Sequence, residues 1–187
     1  MVRSNARRWR YLGFESGGQS GDTFNGLPLH PLVVHGVVVL LPLAMLGTIA
    51  IALRPRWRHR FGLLVLGIAT VGTLFIPIAT SSGESFEKRV GDPGKHAELG
   101  DQLIWFALPM LALSLALVWM DRRQRSDSTA AASQTPAAPA AATKPRSATR
   151  VVAALAVVAA LATSVQVFRV GDSGARAAWG TRIQSSR

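Results

Sequence analysis

Along the chain, four long uncharged runs alternate with short polar stretches, and each run is long enough to be read as one kind of element. A bilayer core about 30 Å thick asks for roughly 20 apolar residues in helical geometry. Segments 31–53, 61–79, 102–120 and 151–170 meet that length without a single Asp, Glu or Lys, and only Arg169 touches a terminal turn. The pattern predicts an all-α polytopic membrane protein, a bundle of four transmembrane helices. Pro42, Pro77 and Pro109 fall inside the first three spans and should kink or loosen them. Spans two and four are rich in small residues, with Gly62, Gly67 and Gly72 in one and Ala153, Ala156, Ala160 and Ser164 in the other. Close approach of helix backbones is their expected use.

Three segments stand outside this pattern. Residues 1–25 form a basic, polar N-terminal tail with no apolar h-region, so the first span itself is expected to act as the insertion signal. The Ala/Pro/Ser/Thr-rich segment 126–149 has little to pack and reads as a disordered cytoplasmic linker between the third and fourth helices. Residues 181–187 form a short C-terminal tail after a four-helix domain spanning 26–180.

Charge gives the bundle a direction. The chain is 49% hydrophobic yet carries 21 Lys and Arg against 10 Asp and Glu. Such a balance suits nucleic acid only when the basic residues share a folded polar surface, and here they flank apolar runs instead, so no nucleic-acid partner is expected. Arg54, Arg56, Arg58 and Arg60 crowd the connection between spans one and two; Arg122, Arg123 and Arg125 follow span three, and Arg150 precedes span four. These connections should be cytoplasmic. The connection between spans two and three holds five acidic and three basic residues and should lie outside. Both termini are then extracytoplasmic in a multi-pass protein of the plasma membrane, and Trp57, Trp105, Trp119 and Trp179 fall near span ends as interfacial anchors.

That topology gathers the candidate chemistry on the outer face. His30 and His35 open span one, Glu84 closes span two, His96 with Glu98 and Asp101 opens span three, and Asp172 follows span four. His59 lies at the opposite end among arginines and reads as a solvated loop residue. Cysteine is absent, which removes disulfides, thiolate metal sites and covalent haem attachment. Any cofactor must therefore be held by His, carboxylate, Met or backbone. His35, about one turn inside the span, is expected to face the bundle interior as a functional candidate, the alternative being a neutral interfacial imidazole that simply donates to a backbone carbonyl. His30 and His35 are five apart and diverge by about 140° on a helix, unlike the paired histidines of zinc helices. The segment Gly-Asp-Ser-Gly-Ala, 171–175, lacks the second glycine and the strand of a nucleophile elbow. It reads as a glycine turn ending span four.

Taken in order and spacing, GLPLHPLVVHGVVVLLPLAMLG, ATSSGESFE, HAELGD and GDSGARAAWG resemble the bacterial membrane-protein family catalogued as domain of unknown function 2231. The resemblance covers about residues 26–121 and 150–180. It implies a four-helix bundle and a redox setting, and its pattern marks His30, Glu84 and His96, with His35 matching less strictly. Asp172 stands where the family commonly has His, so the resemblance supplies no imidazole there.

Three functions fit these residues. The first is a redox-associated module in which His96 and either His30 or His35 hold a b-type haem or a divalent metal ion. Glu84 and Asp172 would serve as further ligands or as partners behind the ligands, and a membrane redox partner would exchange the electron. The second is a non-catalytic structural or interaction subunit whose polar rim caps helix ends. A small transporter fits less well, because the polar groups collect at one end rather than at the midplane.

Overall fold

The computed structural model describes residues 23–24, 27–90, 94–132 and 145–184. Four helices account for nearly all of them: α1 (Leu29–Leu53), α2 (Pro55–Val90), α3 (Lys95–Ala132) and α4 (Pro145–Gln184). A two-residue pairing of Thr23–Phe24 with Leu27–Pro28 precedes α1. All four helices are long and apolar enough to cross a membrane, over Leu32–Leu53, Pro55–Glu84, Lys95–Thr129 and Ser147–Ala177. The expected bundle is therefore present, and Pro42, Pro77 and Pro109 lie inside their helices.

The helices outrun the apolar spans read from the sequence. Residues 126–132 and 145–149, assigned to a disordered linker, are helical, and the rest of that linker lies outside the described residues. The glycine turn expected after span four is absent, for α4 runs through Gly171 and Gly174 to Gln184. An isolated helical glycine costs only about 1 kcal/mol, which a long helix absorbs. Residues 181–184 of the expected tail accordingly continue α4.

The turn between α1 and α2 is a single residue, Arg54. Pro55 takes the first position of α2, where its missing N–H costs nothing, and its ring steers Arg54 out of helical geometry. Such a tight turn buries the C-terminal carbonyls of α1 beside the start of α2. Arg58 reaches back to satisfy them, its Nε donating to the Ile51 carbonyl at 3.0 Å and its Nη2 to the Ala52 carbonyl at 3.2 Å.

Around the bundle the order is α1, α2, α3, α4, with α1 and α3 meeting across the diagonal. Three apolar layers stack along it: Val37, Leu41, Ile76, Leu103 and Ala107; then Ala44, Met45, Ala69, Met110 and Ala160; then Ile51, Ala52, Val65, Leu117 and Val118. Small residues set the spacing. A Cβ on Gly62 would stand 2.9 Å from Val118, so α2 and α3 touch there, whereas Gly67 faces open space and has no such role. The outward surface is apolar, with Leu46, Leu53 and Phe168 more than 60% exposed, as lipid contact requires.

The two helical hairpins are copies of one plan. His30 and His96 are separated by the same 66 residues as Thr48 and Ser114, whose hydroxyls bond across the diagonal at 3.0 Å. At that one offset every buried residue of α3 has a buried counterpart in α1: Val37 with Leu103, Leu41 with Ala107, Ala44 with Met110, Ile51 with Leu117 and Ala52 with Val118. A second constant offset pairs α2 with α4, matching Val65 with Ala156, Ala69 with Ala160 and Ser82 with Ser173. The bundle is thus a pseudo-two-fold pair of hairpins whose axis passes near the Thr48–Ser114 bond.

The repeat also explains a buried hydroxyl. Ser164 donates to the Met45 sulfur at 3.1 Å, and its counterpart Thr73 has no hydrogen-bond partner among the described residues. Leu111 occupies the position equivalent to Met45, and a leucine offers nothing to accept the bond.

Candidate functional site: a pair of imidazole clasps

The second residue of α1 and the second residue of α3 are histidines, and each reaches the end of the following helix. Nδ1 of His30 lies 3.1 Å from the Ala79 carbonyl oxygen and 3.2 Å from the Ser82 hydroxyl. Nδ1 of His96 lies 3.1 Å from the Val170 carbonyl oxygen and 3.3 Å from the Ser173 hydroxyl. Each serine in turn donates to that same carbonyl, at 3.0 Å for Ser82 and 2.8 Å for Ser173. A carbonyl only accepts, so Nδ1 carries the proton in both rings and Nε2 is the basic nitrogen of the neutral imidazole.

The glycine after each serine makes room for the ring. A Cβ on Gly83 would stand 3.1 Å from Cε1 of His30, and one on Gly174 would stand 2.9 Å from Cε1 of His96. Histidine, serine and glycine thus form one clasp in each hairpin, and the pseudo-two-fold relates the two clasps. Burial pushes the His30 imidazole below its ordinary value; the Ala79 carbonyl opposes that shift, and the nearby His96 adds to it.

A lowered histidine pKa fixes a sign. Below about pH 6.5 the unfolded chain protonates this side chain while the folded one resists, so the unfolded state binds more protons. The stability that neutral His30 contributes is complete above that pH and is lost as pH falls through it. Melting temperature measured from pH 7.5 to 5 should fall on acidification, and His30→Gln should flatten that part of the curve.

The other residues singled out from the sequence do not join the clasps. His35 is exposed on α1, against the expectation that it faces inward. It precedes the buried Val37 by two residues, roughly 200° around the helix, and so falls on the opposite face. Glu84, Glu98 and Asp101 are exposed. Asp172 is paired with Arg176 at 2.9 Å, one turn along α4. Among the described residues no group of three or more His, Asp or Glu is arranged to hold a metal ion, so the set His30, His35, Glu84, His96 and Asp172 is not assembled.

The family model described as "Predicted membrane protein (DUF2231)" matches residues 26–187. The chain belongs to this family. Neither a curated protein nor a solved structure matches it. In this DUF2231 protein, Ser82, Gly83, Ser173 and Gly174 complete the clasps; the sequence reading assigned no part to Ser82 and Gly83 and took the segment with Ser173 and Gly174 for a turn. Their signal was available: the pair Ser-Gly recurs near the end of both hairpins, each time paired with a histidine near the start.

Proposed function

We propose that this membrane protein is a redox-associated module that holds one b-type haem through His30 and His96, at the end of the bundle facing away from the cytoplasm. The supporting observation is the shared tautomer: two imidazoles on diagonal helices, each fixed through Nδ1 on a carbonyl so that Nε2 is the basic nitrogen. A carbonyl behind the ring is the usual arrangement for a ligating histidine, setting both its orientation and its basicity. Two neutral imidazoles suit a bis-histidine haem iron. A structural divalent ion asks for about four ligands, which favours haem over metal here. When bound, haem would supply one-electron chemistry to a partner in the same membrane. The chain's own residues would orient the two ligands, and the packed layer beneath, Val37, Leu41, Ile76, Leu103 and Ala107, would keep the group at the rim.

The facing of that rim rests on charge, since Arg54 to Arg60, Arg122 to Arg125 and Arg150 all lie at the other end. A reporter fused after Arg187 should be active only outside the cytoplasm of a bacterial host; activity only inside would reverse the assignment.

The clasps themselves favour a second reading, in which imidazole and serine merely tie each hairpin together. Oxidised and reduced visible spectra of the detergent-purified protein, with iron analysis, separate the two. A Soret band with stoichiometric iron is expected, abolished by His30→Ala or His96→Ala and unchanged by His35→Ala or His59→Ala. No band and no iron would leave the clasp reading alone.

A further inference from the structure

The repeat provides an internal control, and one surface fails to obey it. On the lipid-facing side of the first hairpin, toward its arginine-rich end, lies a groove of about 460 Å³. Its walls are almost wholly apolar, with Leu43, Ala50, Trp57, Phe61 and Leu64 around Gly47. The volume falls in the range of about 300–1,000 Å³ common for small-molecule sites. Trp57 and Phe61 stand edge to face, centroids 6.5 Å apart. Each supports a cation: the Arg54 guanidinium lies 5.0 Å from the Trp57 ring centroid and that of Arg60 lies 5.5 Å from the Phe61 centroid. Both arginines are exposed, and neither is in an ion pair among the described residues.

The second hairpin keeps one cation–aromatic pair at this end, the Arg123 guanidinium 3.9 Å from the Trp119 ring centroid, but not the groove's own residues. At the offsets that superimpose the two copies, Gly47 becomes Leu113, Trp57 becomes Ala148 and Phe61 becomes Val152. Arg54 becomes Pro145 and Arg60 becomes Val151. The glycine is replaced by leucine, and the counterparts of Trp57, Phe61, Arg54 and Arg60 are neither aromatic nor charged. Ordinary lipid contact needs no such difference, because both hairpins face the same bilayer. Arg58, between the two, is buried and committed to the α1 carbonyls, so the exposed pair is a separate feature from helix capping.

We propose that the first hairpin carries a site for a single anionic phospholipid, an acyl chain lying in the groove and the headgroup phosphate held by Arg54 and Arg60. Guanidinium groups suit this task, since their planar fork matches phosphate oxygens and the aromatic faces beneath hold the fork in place. A basic pocket beside an apolar groove at a membrane boundary is the arrangement that recognises anionic headgroups. This site is independent of the histidine rim at the other end.

The test uses the full chain, delipidated in an uncharged detergent at fixed ionic strength. Short-chain phosphatidylglycerol, phosphatidylcholine or inorganic phosphate is added, and binding is read by native mass spectrometry together with melting temperature. One phosphatidylglycerol should bind per chain and raise the melting temperature, while phosphatidylcholine and inorganic phosphate should not. Arg54→Gln with Arg60→Gln should weaken that binding at least tenfold. Removing the same charge from the same end as Arg122→Gln with Arg123→Gln should leave it within twofold. Equal loss in both double variants, equal binding of phosphatidylcholine, or the same shift from phosphate alone would overturn the proposal. Both pairs of residues are exposed, so neither variant threatens the fold.

Discussion

An Arg58→Met variant should melt about 6–12 °C below the parent in detergent, whereas Arg56→Met, two residues away, should melt within about 1 °C of it. The difference lies in what each guanidinium touches. Arg56 is exposed, but Arg58 is only 5% exposed and donates to two carbonyls at the C-terminus of α1. Those carbonyls have no partner further along α1, because the helix stops at Leu53 and the chain turns within one residue. Hydrogen bonds from a charged donor contribute about 1.5–3 kcal/mol each, and a carbonyl left buried without one costs a similar amount. A combined loss of about 3 kcal/mol corresponds to that fall for a chain of this size. Methionine keeps the length and the apolar stem, so the measurement isolates the guanidinium. Arg58→Lys should recover only part of the loss, since one ammonium replaces two donors in fixed geometry.

The second large effect is expected at glycine. Gly174→Val should release His96 from the Val170 carbonyl, because the new Cβ would stand 2.9 Å from Cε1 and 3.1 Å from Nδ1 of the ring. The imidazole is the end of a flexible side chain, so it swings away while the helices stay in place. Ser173 still donates to the Val170 carbonyl, so the cost is the lost Nδ1–H bond, about 0.5–1.5 kcal/mol, or about 1–6 °C in melting temperature. Gly83→Val, with 3.1 Å to Cε1 and 3.4 Å to Nδ1 of His30, should do the same more mildly. The slowly exchanging imidazole N–H proton of the affected ring should vanish from the NMR spectrum while that of the other ring persists. Loss of both signals from one substitution would contradict two separate clasps.

What the chain reveals of itself divides along a physical line. The four spans are legible because a bilayer imposes length and apolarity locally, on consecutive residues, and no distant contact can relax that demand. The gathering of His30, Glu84, His96 and Asp172 at one end is legible for the same reason, since spans of equal length alternate direction. What each side chain touches is a matter of rotation and register between helices, which local composition does not record. His35 therefore looked buried from its depth alone, although its angle turns it outward. Arg58 looked like one of four equivalent arginines, and only the one-residue turn before it gives it carbonyls to reach. The duplication was hidden by unequal connections: the segment between α3 and α4 is longer than the turn between α1 and α2, so the two helices of each hairpin repeat at different offsets. Few identities mark the repeat beyond histidine and Ser-Gly, because apolar side chains interchange freely so long as each buried position stays buried.

The two-fold relation has a further consequence at the histidine end. A ligand seated on the axis there meets the same donors, at the same depth, when it is turned through half a revolution. Nothing in the clasps themselves tells the two poses apart, so an asymmetric ligand would be bound as a mixture of both. Only the residues beside the clasps break that degeneracy, where Pro31 follows one histidine and Ala97 the other.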